Sequence, residues 1–170
     1  MNTTAVTQSC FEQLRARILE ARARTDDLFE IVRPEALYDR PIPERHRIIF
    51  YLGHLEAFDW NLLLGPLGLV SFDAAFDKLF SFGIDPVDGG LPNDQPEDWP
   101  SVEQVRRYNA RLRKTLDAAL RSTAVEDPGL THLEHGRLLD VAIEHRLMHA
   151  ATTARCPKSP ATAYRLLSTT

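Results

Sequence analysis

Two histidines stand four residues apart in the stretch Ile143-Glu144-His145-Arg146-Leu147-Met148-His149. Because an α-helix has 3.6 residues per turn, this spacing predicts that His145 and His149 lie on one helix face, one turn apart. Two imidazoles placed in this way can share a metal ion. The spacing alone is weak evidence for a metal site, since a chain with six histidines often contains such a pair by chance. The glutamate of the zinc-protease motif is also missing.

The helix around this pair is predicted to span residues 127–155. Asp127-Pro128 has the form of an N-cap followed by a proline in the first helical turn. Leu138 and either Val141 or Ala142 share a stripe with the two histidines. The histidines therefore occupy inward positions where leucine is expected, which favours a functional site.

Three further amphipathic helices are predicted from apolar residues that recur at helical spacing. They span residues 8–32, 43–64 and 101–122. Capping-box patterns open the first and the third of these, from Ser9 to Glu12 and from Ser101 to Gln104, and Pro43 is placed in the first turn of the second. No strand pattern is found. The sequence thus predicts an all-α protein, a four-helix bundle that forms one domain over residues 1–170.

The lengths of the connections predict the order of the four helices. Short connectors join the first helix to the second and the third to the fourth, so each pair is expected to be antiparallel. The link from Gly65 to Pro100 is long enough to cross the bundle, which predicts an up-down-down-up arrangement. It contains a short predicted helix, from Phe72 to Phe82, and an irregular run over residues 83–100. That run either drapes over an opening of the bundle or merely crosses between its ends.

A third ligand for the histidine pair is expected from the second predicted helix, where His54 is the best candidate. Tyr51 lies next to the His54 face and is a candidate catalytic residue that hydrogen-bonds a substrate; the alternative is that it only packs. Asp59 falls within the apolar stripe, where an unpaired carboxylate is costly. It is either a partly exposed residue near a helix end or, like Glu144, an acceptor that orients an imidazole N–H.

Other polar residues receive structural interpretations. Asn109 lies in the apolar stripe of the third helix and either hydrogen-bonds across the interior or is a tolerated exception, of which the second is more common. The remaining histidines, His46, His132 and His135, are interpreted as surface residues.

Composition and charge argue against several classes of function. The 170 residues are 44% hydrophobic and 26% charged, as in an ordinary globular domain. A net charge of −4, with acidic residues interleaved among the basic ones, argues against nucleic acid as a partner. The chain has neither an apolar run that spans a bilayer nor a secretory signal pattern, which predicts a cytoplasmic protein without a membrane partner. With only Cys10 and Cys156, no disulfide framework is indicated.

The order of these features resembles a known family. A histidine in the middle of the second helix, after a long first helix, is followed much later by His-x-x-x-His in the fourth. This pattern resembles the DinB-like metal-binding four-helix bundles, and in particular the N-terminal DinB-like domain of ergothioneine-biosynthesis sulfoxide synthases. The segments that carry the likeness are Leu52-Gly53-His54, Phe58-Asp59-Trp60, Phe76-Asp77-Lys78-Leu79-Phe80 and Trp99-Pro100-Ser101-Val102-Glu103-Gln104-Val105.

The resemblance implies a metal site formed by His54, His145 and His149. It implies non-haem iron first, with zinc or nickel as alternatives, and open coordination positions for a substrate thiol, water or dioxygen. The activity it suggests is small-molecule thiol or sulfur chemistry, carried out by a metal-dependent thiol oxidoreductase or thiol transferase.

Two departures from the synthase pattern limit this expectation. The synthases have a C-terminal domain that helps to build the substrate site, for which this chain has no counterpart, and Ala150 and Ala151 follow His149 where the synthases carry polar and acidic residues. Either a partner chain supplies the missing half or the lone domain has another role, and the resemblance also suggests a homodimer. The alternative of a different class is a non-catalytic helical bundle that binds a metal, a ligand or a partner protein.

Overall fold

The computed structural model describes the backbone of residues 3–84, 91–126 and 130–154, and the side chains of residues 12–84, 91–122 and 136–151. Within these ranges the chain forms five α-helices and no β-strand, so the prediction of an all-α protein is confirmed. The helices are α1 (Thr3–Glu30), α2 (Ile48–Leu63), α3 (Ala74–Phe82), α4 (Val102–Glu126) and α5 (Leu130–Ala154). Two short 3-10 helices lie at Pro34–Tyr38 and Pro96–Asp98. No helix in the described ranges has both the length and the hydropathy needed to cross a bilayer.

The four long helices, α1, α2, α4 and α5, correspond to the four predicted helices, and α3 is the short helix predicted within the long link. α1 packs along α5, whereas α2 packs against α3, α4 and α5. The largest buried apolar side chains include Ile49, Trp60, Leu63, Phe80, Leu112, Leu116 and Leu139. Because α2 contacts three other helices, its polar residues meet partners from distant parts of the chain. The up-down-down-up order stays a prediction.

The ends of the long helices differ from the predicted ones. α1 begins before the predicted capping box Ser9–Glu12, which lies inside the helix. The capping box of α4 is confirmed, because the N–H of Ser101 donates to Gln104 Oε1 at 2.8 Å and the N–H of Gln104 donates to Ser101 Oγ at 3.3 Å. The predicted cap Asp127-Pro128 and the chain from residue 155 onward lie outside the described residues.

The start of α2 contradicts the sequence prediction. The pattern places Pro43 in the first turn of this helix, but α2 begins at Ile48. Arg47 is extended, with φ −62° and ψ 157°, and the N–H of Ile48 donates to the carbonyl of Asp39 at 3.1 Å. The guanidinium of Arg47 binds Asp94, far along the chain, at 2.9 Å. These tertiary contacts hold the residues before Ile48 out of the helix, and they override local helix propensity.

Asp94 anchors the last part of the long link on the start of α2. Its buried carboxylate accepts hydrogen bonds from Arg47 Nε at 2.9 Å, from Trp99 Nε1 at 2.7 Å and from Arg40. Burial opposes the charge on this carboxylate, but the bonds from Trp99 and Arg47 outweigh burial and lower the pKa of Asp94. Residues 85–90 lie outside the described part of the chain, so the interpretation that the link covers an opening stays a prediction.

A buried carboxylate, that of Asp77, fastens α3 to its neighbours. It accepts hydrogen bonds from Trp60 Nε1 of α2 at 3.1 Å and from the Tyr108 hydroxyl of α4 at 2.6 Å. The side chain of Asp73 caps the start of α3 by accepting a hydrogen bond from the N–H of Phe76 at 3.1 Å. This fixed position of α3 brings its last turn against the middle of α2.

Candidate metal centre

His54 lies in the middle of α2, and α3 orients its ring. Nδ1 of His54 is 2.7 Å from the carbonyl oxygen of Phe80. Because a carbonyl oxygen can only accept, Nδ1 carries the hydrogen and the lone pair of the neutral ring is left on Nε2. Gly53 permits this close approach, since a Cβ atom at this position would lie 2.3 Å from the Phe80 ring. The pair Gly53-His54 therefore places α3 close enough to set the tautomer of the histidine.

The other two histidines reach the same place from α5. Nε2 of His145 lies 3.2 Å from Nε2 of His54. His54, His145 and His149 each offer a ring nitrogen to a group in which all three nitrogens lie within 4.8 Å of one another. The three side chains are half-buried. The structure thus brings the three predicted ligand residues together. His54 lies 91 residues before His145 in the chain, so helical spacing alone does not predict this contact.

The arrangement fits a bound metal ion. Two nitrogens that each bind a tetrahedral ion at about 2.0–2.1 Å lie roughly 3.3 Å apart, which is close to the separation seen between His54 and His145. Two neutral imidazoles with their lone pairs facing each other at this distance repel each other unless a cation or a proton lies between them. The donor set of neutral nitrogens suits zinc, iron or nickel and does not distinguish between these metals.

The electrostatics keep the three rings neutral at neutral pH. Burial, and then the rings of His149 and His54, lower the pKa of His145 to about 3. Burial and the nearby His54 lower the pKa of His149 to about 4. Burial also lowers the pKa of His54, although the bond to Phe80 works against it. Neutral imidazole is the form that binds a metal, so each ring has a nitrogen lone pair for binding without first losing the proton of an imidazolium.

Aromatic side chains surround the three imidazoles. The ring of Phe58 stacks on His145 with 3.5 Å between centroids, and the ring of Phe50 stacks on His54 with 4.6 Å between centroids. The candidate catalytic residue Tyr51 is half-buried, and its ring centroid lies 5.5 Å from that of His149. Tyr51 is therefore next to the cluster, as the sequence predicts, and its catalytic role stays a prediction.

Of the two carboxylates expected to orient the histidines, Asp59 binds an arginine and Glu144 is exposed. Asp59 has no exposed surface, and it accepts hydrogen bonds from Arg146 Nε at 2.9 Å and from a terminal nitrogen of the same guanidinium at 2.7 Å. It is thus neither partly exposed nor bound to an imidazole. Glu144 is exposed, and Nδ1 of His145 is buried without a hydrogen-bond partner in the described part of the chain. The exposure of Glu144 follows from its place directly before His145 on α5, because consecutive helical residues point about 100° apart.

Sequence reasoning missed the buried charges beside the histidines. Arg146, between the two histidines of α5, has no exposed surface and pairs with Glu56 at 2.8 Å as well as with Asp59. Arg113 of α4 reaches Glu56 too, and Arg22 of α1 lies 3.8 Å from Asp59. The signal in the sequence is the pair Glu56 and Asp59 within the apolar helix α2, because buried acids require buried bases.

The structure decides between the alternatives for Asn109 and corrects the interpretation of His46. Asn109 is no tolerated exception, since its Nδ2 donates to the carbonyl of Leu52 in α2 at 2.8 Å. His46 is half-buried, and its ring centroid lies 4.1 Å from that of Phe50. The side chains of His132 and His135 lie outside the described ones.

Comparison with known proteins gives a family and two relatives. The family model described as the DinB superfamily matches residues 17–153. Ergothioneine biosynthesis protein 1 of Neurospora crassa is 35% identical over 124 residues, which cover 69% of this chain and 14% of the relative. The protein of the same name from Schizosaccharomyces pombe is 30% identical over 141 residues, which cover 73% of this chain and 16% of the relative. The match thus spans about a seventh of the length of these relatives.

Proposed function

The chain belongs to the DinB superfamily, and we propose that it binds one divalent metal ion through His54, His145 and His149. The observation that carries this proposal is the convergence of three neutral ring nitrogens from α2 and α5. Iron is the preferred metal by resemblance to the sulfoxide synthases, and zinc and nickel suit the same donors. We also propose the up-down-down-up order of the long helices, which the length of the link from Gly65 to Pro100 supports.

We further propose that the site acts on a small-molecule thiol. The names of the two relatives refer to ergothioneine biosynthesis, which supports sulfur chemistry for the part of them that this chain matches. A bound divalent ion lowers the pKa of a thiol that coordinates it and so supplies the thiolate at neutral pH. The chain's own contribution is to hold three neutral nitrogens and to offer the Tyr51 hydroxyl, next to His149, to a substrate.

The two relatives extend well beyond the part of them that this chain matches. Because this chain covers only 14% and 16% of the two relatives, most of their length has no counterpart in the match. We propose that a second copy of this chain or a separate partner chain completes the substrate site, and that the protein works in the cytoplasm. Size determination by light scattering, alone and with candidate partners, tests this part.

The first experiment is the metal content of the purified protein beside that of a His145→Ala variant. Elemental mass spectrometry is expected to find near-stoichiometric metal in the parent and little in the variant. Glu144→Ala is the matched control, since Glu144 is the exposed neighbour on the same helix, and it is expected to keep the metal. Equal, near-zero contents in parent and variant after reconstitution with iron or zinc would contradict the proposal and favour a helical interaction domain.

The thiol part is tested separately with cobalt(II) as a spectroscopic substitute. Cysteine added to the cobalt-loaded parent is expected to produce a sulfur-to-cobalt charge-transfer band in the near ultraviolet. Serine, which differs only in having a hydroxyl, is expected to produce none. If cysteine and serine give the same spectrum, the proposed thiol chemistry is contradicted, while the proposed metal site is not.

A further inference from the structure

The three imidazoles of the cluster are held by different means. His54 donates a hydrogen bond from Nδ1 to the carbonyl of Phe80 at 2.7 Å. Nδ1 of His145 is buried and finds no partner among the described residues, and its Nε2 lies 3.2 Å from Nε2 of His54, on the side where the metal ion is proposed to bind. A ligand histidine ordinarily donates its second N–H to an acceptor that fixes the ring. His145 therefore needs another source of orientation.

We propose that Phe58 is the positioning residue of His145, through ring stacking in place of a hydrogen bond. The two rings are nearly parallel, with 10° between their planes and 3.5 Å between their centroids. This separation is van der Waals contact over the whole imidazole face, so the ring cannot turn about its Cβ–Cγ bond without striking Phe58. The inference rests on the proposed function, since it concerns a proposed metal ligand.

A phenyl face suits a ligand that donates electrons to a cation. The face of a phenyl ring carries partial negative charge, and it attracts groups that carry positive charge. An imidazole that binds a metal loses electron density, so the stack with Phe58 strengthens when His145 is bound. Phe58 also stands four residues after His54, which puts both on one face of α2. α2 therefore supplies one ligand itself and orients a second one on α5.

Phe50 offers a matched comparison on the same helix. It stands four residues before His54 and stacks on that ring with 4.6 Å between centroids and 23° between planes. His54 already has its hydrogen bond to Phe80, so the orientation of this ring does not depend on the stack. Phe50 is 4% exposed and belongs to the core, whereas Phe58 is half-buried. We therefore expect the loss of the Phe58 ring to lower metal affinity more, and the loss of the Phe50 ring to lower the stability of the fold more.

The test compares Phe58→Leu, Phe58→Tyr and Phe50→Leu with the parent by zinc competition against a chromophoric chelator. Phe58→Leu keeps an apolar side chain of similar volume without the ring, and it is expected to weaken zinc binding by about 10- to 100-fold. Phe58→Tyr restores the aromatic face and is expected to bind zinc as the parent does. Phe50→Leu is expected to keep zinc affinity while losing more stability in urea than Phe58→Leu. Equal losses of affinity in Phe50→Leu and Phe58→Leu would overturn the proposal.

A second measurement uses the metal-free protein and separates this inference from the proposed function. Proton–nitrogen NMR of the histidine rings is expected to show altered and broadened signals for His145 in Phe58→Leu, with those of His54 unchanged. Unchanged His145 signals overturn the positioning role, whatever the zinc result. If the parent itself binds no metal, the proposed function fails, and the ring signals still decide whether Phe58 orients His145.

Discussion

Two polar clusters lie side by side between α2 and α5, and they solve the problem of burial in different ways. The first consists of His54, His145 and His149, which are half-buried and neutral. The second is centred on Arg146 and Asp59, which have no exposed surface and carry opposite charges. The two clusters are neighbours along α5, where a histidine is followed directly by the buried arginine. Adjacent helical positions thus serve two different environments.

The charge cluster is balanced within the chain. Arg146 contacts Glu56 at 2.8 Å and Asp59 at 2.7 Å. Arg113 also binds Glu56, and it pairs with Asp26 at the surface. Burial opposes the charge on Glu56, but Arg146 and Arg113 outweigh burial and lower its pKa to about 2. Such a network stabilises only while every member is present, because removing one leaves a buried charge unpaired.

The histidine cluster has no such internal balance. Its three ring nitrogens lie within 4.8 Å of one another, with 3.2 Å between Nε2 of His54 and Nε2 of His145, and the neutral rings carry no opposite charges that would attract one another. We therefore interpret the charge cluster as structural, and we expect the histidine cluster, as the proposed metal site, to gain stability from an ion taken up from solution. Four predictions test this difference, in order of decreasing expected effect.

Breaking the charge cluster is expected to cost the most stability. Arg146→Met leaves Glu56 and Asp59 buried without their shared partner, and the free energy of unfolding should fall by about 3–5 kcal/mol. Urea denaturation of the metal-free protein measures it. The control is Arg17→Met, which breaks an exposed pair with Asp140 and should cost about 0–1 kcal/mol. A loss at Arg146 no larger than that of the control would contradict the role given to the charge cluster.

Metal addition is expected to stabilise the chain through the histidine cluster alone. At a zinc concentration of about 100 times the dissociation constant, the parent should gain about 2.7 kcal/mol in free energy of unfolding. His54→Ala lacks one of the three nitrogens and should gain almost nothing, whereas Glu144→Ala should gain as much as the parent. A chelator should reverse the gain in the parent. The same gain in His54→Ala would show that the ion binds elsewhere.

Acid is expected to remove the contribution of Glu56 to stability. Its folded-state pKa of about 2 lies below the ordinary 4.5, so the unfolded chain takes up the proton first as the pH falls. The contribution is therefore full above about pH 4.5 and is lost progressively toward about pH 2. The difference in unfolding free energy between the metal-free parent and Glu56→Gln should narrow over this window. The control is Glu20→Gln, from the exposed pair with Arg24, which should change the pH dependence of the unfolding free energy little. If the difference in unfolding free energy between the parent and Glu56→Gln stays constant over this window, the lowered pKa of Glu56 is contradicted.

The smallest effect is expected for a buried hydrogen bond without charge. Asn109→Ala removes the bond to the carbonyl of Leu52 and should lower the free energy of unfolding by about 1 kcal/mol. Ser122→Ala, at an exposed position of α4, is the control and should change it by no more than about 0.5 kcal/mol. If Asn109→Ala costs as much as Arg146→Met, charge is not what distinguishes the buried cluster.

A prediction from the sequence succeeds at the start of α4, where the cause is local, whereas the capping box predicted at Ser9 lies inside α1. The capping box at Ser101 and Gln104 is formed as predicted, because its partners are three residues apart. The start of α2 is predicted wrongly, because Arg47 is held by Asp94 and not by its neighbours. His54 is the best candidate for the third ligand from the sequence and from the family resemblance, but no spacing rule connects it with α5, and only the structure brings its ring to the pair.

What the sequence determined by itself is the set of helices and the common face of His145 and His149, because helical periodicity acts over a few residues. Only the tertiary structure decided that Asp59 meets Arg146 instead of an imidazole, and that the ring of Phe58 covers His145. Those contacts join residues that lie far apart in the chain. They depend on how α2 and α5 pack, and packing distances of a few ångströms decide which of several polar neighbours a buried group can reach.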